Sequence, residues 1–315
     1  MNRPSKVLVS SPSRLHFCLV DLNGSLGRSD LSVGVALEEP RCEVEAIASS
    51  TIKITGSSDP RINQILSKLN CANNCNLPIK QNIPEHVGLG SSTQLLMAVA
   101  KAASIISGKN YSTLQLAELA QRGGTSGIGV HAFASGGFLV DAGHSFGKKG
   151  VKASFSSSSF SSSPAPQLLA RYELPESWHF ACIIPDSKKF FGEKENEIFQ
   201  SKTPVSEKIT EQLSRAVLVK LMPAAVEQNA VDFGESLNLL NQIRLADNWA
   251  DPALQKYVKQ MISAGALGAG ISSFGPLVYG FTDSKNKAEK ILSEFDCTKF
   301  VSKIENKGAR VRTSD

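Results

Sequence analysis

Apolar and polar positions alternate along the first fifty residues and then fall into helical spacing. Residues 7–9 form a short apolar strand, closed by Ser10-Ser11-Pro12. Leu15, Phe17 and Leu19 follow at every second position, as a half-buried strand requires, and Asn23-Gly24 supplies a hairpin turn. Residues 32–37 and 42–48 read as the returning strands. Residues 60–69 then bring Ile62, Ile65, Leu66 and Leu69 onto one helical face. A strand at 78–83 leads to a long helix opening at Ser91-Ser92-Thr93 and running through Leu95, Leu96, Ala98, Val99 and Ala102. Further helices are predicted at 112–121, 206–222, 223–243, 252–264 and 285–295. Strands are predicted at 138–141, 180–184, 277–281 and 299–304. The two periods interleave without a strict βαβ repeat, so the pattern predicts an α+β fold.

One segment has neither period. Residues 154–166 (SFSSSSFSSSPAP) are serine-rich and end in prolines, the composition of a mobile loop or linker. This places a boundary between two lobes, residues 1–160 and 161–315. The formal charge of +5 is spread along the chain. It suits small anionic substrates and lacks the concentrated basic stripe that nucleic acid requires, so no nucleic-acid partner is expected. No apolar run reaches the length of about eighteen residues that a membrane helix needs, and the amino terminus lacks a signal-peptide core, so a cytoplasmic protein without a membrane partner is expected. Six cysteines (Cys18, Cys42, Cys71, Cys75, Cys182 and Cys297) and scattered histidines match no metal-ligand spacing, and free thiols are expected.

The chemistry lies in three clusters of small residues. In PEHVGLGSSTQ, Gly88 and Gly90 let the backbone bend so that N–H groups converge on an anion. Ser91 or Ser92 would cap the following helix, whose free first-turn N–H groups attract phosphate. No lysine follows the second glycine, so this is not a Walker loop. In RGGTSGIGVHAF, Arg122, Gly123, Gly124 and Thr125 suggest a second anion contact, unless the glycines serve only close packing. In GAGISSFGP, Gly268, Gly270, Ser272, Ser273 and Gly275 are expected to form a third loop. Upstream, SPSRLHF carries Arg14 and His16, and Asp21 follows. Glu193, Glu195 and Glu197 read as a solvated helix start.

SPSRLHF, PEHVGLGSSTQ and GAGISSFGP, in that order, resemble the GHMP kinase superfamily. The resemblance implies an N-terminal lobe like the second domain of a ribosomal protein, a ferredoxin-like C-terminal lobe, and an active site between them. Within the superfamily, the whole chain, and most specifically RGGTSGIGVHAF, is similar to the β-ribofuranosylaminobenzene 5′-phosphate synthase family. That resemblance implies decarboxylating transfer of ribose 5-phosphate from phosphoribosyl pyrophosphate to 4-hydroxybenzoate or 4-aminobenzoate, in methanopterin biosynthesis, by a homodimer. Superfamily kinases often carry an aspartate base seven residues before a Gly-Gly pair. Here that position is Gly129, which cannot accept a proton.

On this reading the cradle of Gly88, Gly90, Ser91, Ser92 and Thr93 holds the donor's diphosphate. A magnesium ion is expected beside Ser92 or Thr93, and no organic cofactor is expected. Arg14 and Arg122 are the expected anion contacts. His16, Asp21 and His131 are the candidates for the acceptor's para group or the sugar cation, and Ser272 and Ser273 would close the site. The alternatives are an ATP-dependent small-molecule kinase of the same fold and a non-catalytic sugar-phosphate sensor.

Overall fold

A computed structural model describes residues 3–70, 75–187, 189, 191–247, 249 and 251–314. Two long strands carry the first sheet: β1 (Lys6–Asp21) and β2 (Arg28–Ala48), antiparallel and buried along most of their length. Pro12 does not end the first strand. A register shift between Pro12 and Ser13 absorbs the irregularity, and a second shift follows His16. β3 (Lys53–Thr55), helix α1 (Arg61–Lys68) and β4 (Cys75–Gln81) come next. Helix α2 (Ser91–Ile106) crosses β1 and β2. Its residues are buried almost all round, because its side chains are apolar or small on every face.

Helix α3 (Thr113–Leu119) starts with a capping box between Ser112 and Gln115. Helix α4 (Ile128–Ser135) occupies part of the glycine-rich stretch, to which the sequence pattern assigns no helix. β5 (Phe138–Asp141), β6 (His144–Ser145) and β7 (Leu168–Tyr172) complete this side. β7 pairs with β5, and the last strand, β12 (Arg310–Ser314), pairs with β1. The first sheet thus draws two strands from beyond residue 160.

The second sheet has the order β11-β8-β10-β9, built from β8 (His179–Ile184), β9 (Gly268–Ile271), β10 (Val278–Thr282) and β11 (Thr298–Lys303). All its pairings are antiparallel, and numbered within the lobe the order is 4-1-3-2, the ferredoxin-like arrangement. Gly268 and Gly270 are therefore strand residues, not loop. Between β8 and β9 run α5 (Gly192–Ser201), α6 (Glu207–Ala216), α7 (Met222–Glu227), α8 (Ala230–Ala246) and α9 (Gln255–Ser263). α10 (Lys285–Ser293) links β10 to β11.

The expected break at residues 222/223 lies instead at Gln228, which is left-handed, and Asn229, whose side chain caps α8. Pro223 is tolerated because residues Val217–Leu221 form a π turn ahead of it. One core serves both lobes: Phe17 of β1 packs 5.5 Å from Tyr279 and 6.3 Å from Phe180, ring to ring. Cys18, Cys42, Cys182 and Cys297 are free thiols, and Cys71 lies outside the described residues.

Candidate active site

The three small-residue clusters meet in one place. Gly88 has φ 96°, and a Cβ there would stand 2.5 Å from the Ser272 carbonyl oxygen. Glycine is required so that the cradle can press against the third cluster. The Ser272 hydroxyl donates to the Gly88 carbonyl at 2.7 Å and accepts from the His16 N–H at 3.0 Å. Ser273 N–H donates to the His16 carbonyl at 3.0 Å. The cap of α2 is not a serine. Gly90 holds that position at φ 78°, with no side chain bonded across the helix mouth. The helix therefore presents its first-turn N–H groups to a ligand rather than to its own serine.

Arg14 and Arg122 flank that mouth. Arg14 donates from its guanidinium to the Gly88 carbonyl and lies against Gly90, while Arg122 Nε donates to Thr93 Oγ1 at 3.0 Å. Burial lowers both guanidinium groups to about 10, aided for Arg14 by Arg122 and for Arg122 by Arg61. Cations crowded in this way gain from a bound anion. The cleft they line encloses some 1150 Å³ open to solvent, with Ser91, Ser92, Thr93, Thr125, Ser273 and Gly275 also in its walls.

Glu195 stands in the same cleft, on α5, and is not the solvated residue that its acidic neighbours suggest. Burial raises its pKa, against the pull of Arg122 and Arg14. The serine-rich segment is not a linker either. Ser157, Ser158 and Ser159 wall the cleft, and the segment is held by Thr125 Oγ1 donating to the Ser156 carbonyl at 2.7 Å and Ser157 N–H donating to Asn196 at 3.0 Å. Its composition hid this, because the bonds that hold it come from distant residues.

Other expected residues are engaged elsewhere. Gly123 and Gly124 pack beneath this segment, where added Cβ atoms would meet Ala165 at 2.4 Å and Ser161 at 2.7 Å. The Asp21 carboxylate caps its own turn, accepting from Asn23 and Gly24 N–H at 2.8 Å each. His131 Nε2 lies 2.9 Å from the Pro166 carbonyl, and burial lowers its pKa. Gly129 stands one residue into α4, with a Cβ position 3.0 Å from Thr93. An aspartate there would reach into the cradle; glycine leaves it without that base.

Beside the anion cleft lies an apolar compartment walled by Leu19, Val20, Leu22, Val205, Trp249 and Phe274, among others. His16, Leu19, Ser273 and Phe274 belong to both cavities and form their seam. His16 is 6% exposed, and neither ring nitrogen has a hydrogen-bond partner among the described residues. Burial, then Arg14 and Arg244, hold its pKa well below the usual histidine value, so the imidazole is neutral. Arg244 also borders this compartment, and no motif in the sequence points to it.

Comparison with known proteins bears on this geometry. The GHMP kinases N terminal domain profile matches residues 61–137, and the GHMP kinases C terminal profile matches residues 221–302. Beta-ribofuranosylphenol 5′-phosphate synthase of Methanothermobacter thermautotrophicus is 38% identical over 298 residues, covering 89% of this chain and 90% of that protein. The synthases of that name from Archaeoglobus fulgidus (37%, covering 96% and 98%) and Methanocaldococcus jannaschii (39%, covering 92% and 94%) are similarly related. Among solved structures, homoserine kinase from Cytophaga hutchinsonii superposes with TM-score 0.69 at 18% identity over 99% of both chains. Mevalonate kinase of L. major, in complex with R-mevalonate, superposes equally well at 12% identity, covering 97% of this chain and 99% of that one. At such identities these two show the fold alone.

Proposed function

From the premise that the chain belongs to the β-ribofuranosylphenol 5′-phosphate synthase family, on a GHMP kinase fold, we infer that it is a decarboxylating C-glycoside synthase. Its substrates are phosphoribosyl pyrophosphate and 4-hydroxybenzoate, or 4-aminobenzoate, and its products are β-ribofuranosylphenol (or aminobenzene) 5′-phosphate, carbon dioxide and diphosphate. Its pathway is methanopterin biosynthesis and its compartment the cytoplasm; no described helix is long and apolar enough to cross a membrane. One observation carries this reading. An arginine-flanked anion cradle adjoins an apolar compartment across a seam that holds a neutral, unpartnered histidine.

The reaction breaks the bond between the ribose anomeric carbon and the diphosphate oxygen, whose electron pair leaves with diphosphate. The ring carbon bearing the carboxylate supplies the pair for the new carbon–carbon bond. The bond to the carboxylate then breaks, and its electrons restore the aromatic ring. The first-turn N–H groups of α2, with Arg14 and Arg122, stabilise the charge growing on the diphosphate. The apolar compartment takes the ring and keeps water from the sugar cation. His16 faces that cation across the seam. Because it is neutral, it adds no opposing charge.

A magnesium ion beside the diphosphate is part of the same proposal, as a hard cation that takes oxygen ligands. The Ser92 hydroxyl and the Glu195 carboxylate, both in the cleft wall, would hold it; Thr93 Oγ1 is already engaged by Arg122. When bound, the ion would neutralise part of the charge on the departing diphosphate. Assembly as a homodimer is part of the same proposal, supported by exposed Leu218, Val219, Val226 and Val231 in the helical region between β8 and β9.

The test supplies carboxyl-labelled 4-hydroxybenzoate, magnesium and phosphoribosyl pyrophosphate and counts released carbon dioxide. Release that depends on the sugar donor is the expected result. No release, together with ATP consumption in the presence of an alcohol, would move the assignment to a kinase.

A further inference from the structure

Arg244 is 8% exposed, and among the described residues its guanidinium is bonded only to main-chain carbonyls: Phe17 at 2.9 Å, Ile271 at 2.8 Å and Ser273 at 2.6 Å. Those bonds use three donors of the five that a guanidinium carries. No described carboxylate pairs with it. Its titratable neighbours are Cys18, Tyr279 and the neutral His16, and burial keeps Cys18 and Tyr279 in their neutral forms, with the thiol pushed up to about 12. Arg41, which is also buried, instead meets Glu305 at 2.8 Å.

A buried cation without a counter-charge is costly. A neutral donor could tie the same three carbonyls together at lower cost, so the charge calls for a partner from outside the chain. The cavity that Arg244 borders is otherwise apolar, and one of the carbonyls it binds belongs to Ser273, on the seam with the anion cleft.

We propose that Arg244 is the receptor for the carboxylate of the aromatic acceptor, and so the residue that selects a benzoate over neutral phenols. The assignment rests on the function inferred above. It gives the arginines separate roles, with Arg14 and Arg122 holding the donor's diphosphate and Arg244 holding the acceptor. With the carboxylate on Arg244 and the ring against Trp249 and Phe274, the ring carbon bearing the carboxylate lies next to the seam, where the anomeric carbon must approach.

The test is calorimetric binding of 4-hydroxybenzoate and of its neutral analogue 4-hydroxybenzamide to the full-length protein. Wild-type protein is expected to prefer the acid by about tenfold or more, as a charge-assisted pair should. Arg244→Gln should bind both compounds alike while keeping its affinity for inorganic diphosphate, a pattern that general loosening would not produce. Arg244→Lys keeps the charge but not the fork, and should lose several-fold of the preference, which provides the answer if the glutamine variant does not fold. An acid-to-amide ratio unchanged in either folded variant overturns the assignment and leaves the synthase reading intact. Wild-type protein that binds neither compound overturns both.

Discussion

Arg122 has burial and a neighbouring arginine working against its charge, so an anion between it and Arg14 relieves the whole group. Arg122→Ala should therefore raise the Michaelis constant for phosphoribosyl pyrophosphate by about 10- to 100-fold, with a smaller change in that for the acceptor; initial rates over both substrates check this. Glu195→Gln should raise the magnesium concentration needed for half-maximal rate, again by about tenfold. An unchanged magnesium dependence would remove Glu195 from the metal site. His16 gives a pH prediction. Its pKa lies well below the usual histidine value, so it gains a proton only as the solution becomes distinctly acid. The rate constant kcat should show no histidine limb between about pH 6 and 8, the range where an unperturbed imidazole titrates. A limb near 6.5 that disappears in His16→Asn would contradict this. Arg14, His16 and the cradle residues were legible in the motifs. Glu195 and Arg244 were not, because their roles come from what they face and their own stretches of chain look ordinary.

At the level of elements, the contact between the α2 mouth and the loop after β9 is the critical joint. Gly88→Ala would place a methyl group 2.5 Å from the Ser272 carbonyl oxygen at φ 96°. It should destabilise the protein by about 1–3 kcal/mol and weaken donor binding; thermal unfolding and the donor's Michaelis constant test the two parts separately. Helices and strands with clean periodicity were predicted well: α1, α2, α3, α10, β5 and β8 fall close to their expected limits. α4 was missed because its glycines and small side chains mask a helix that tertiary packing stabilises. β7 and β12 were missed because exposed or half-buried edge strands have no apolar alternation to reveal them.

Over the whole molecule, a buried charge network joins the chain's end to its beginning. Glu305 is 4% exposed and binds Arg41 of β2 at 2.8 Å and Arg310 of β12 at 2.6 Å. Burial works against the charge, but the Lys307 N–H, which donates to the carboxylate at 2.8 Å, then the Arg310 hydrogen bond and the charges of Arg310 and Arg41, outweigh it and hold the carboxyl below its ordinary pKa. A depressed folded-state pKa means that the stabilisation is present above the ordinary glutamate value. It is lost as pH falls through the lower folded value. Glu305→Gln should therefore cost about 3 kcal/mol at neutral pH and less in acid. Denaturant unfolding at both pH values measures the difference; an equal cost at both would be inconsistent with it.

The sequence by itself determined the fold class, the family and the glycine-serine loop that opens α2, since each rests on local periodicity or on glycines and polar residues close together in the chain. Tertiary structure alone decided which candidates share a cleft. It turned Asp21 and His131 to structural hydrogen bonds, set the serine-rich segment as a wall, brought in Glu195 and left Arg244 without a partner among the described carboxylates. The physical reason is that desolvation and charge pairing depend on neighbours far apart in the chain. Spacing along the chain does not encode them.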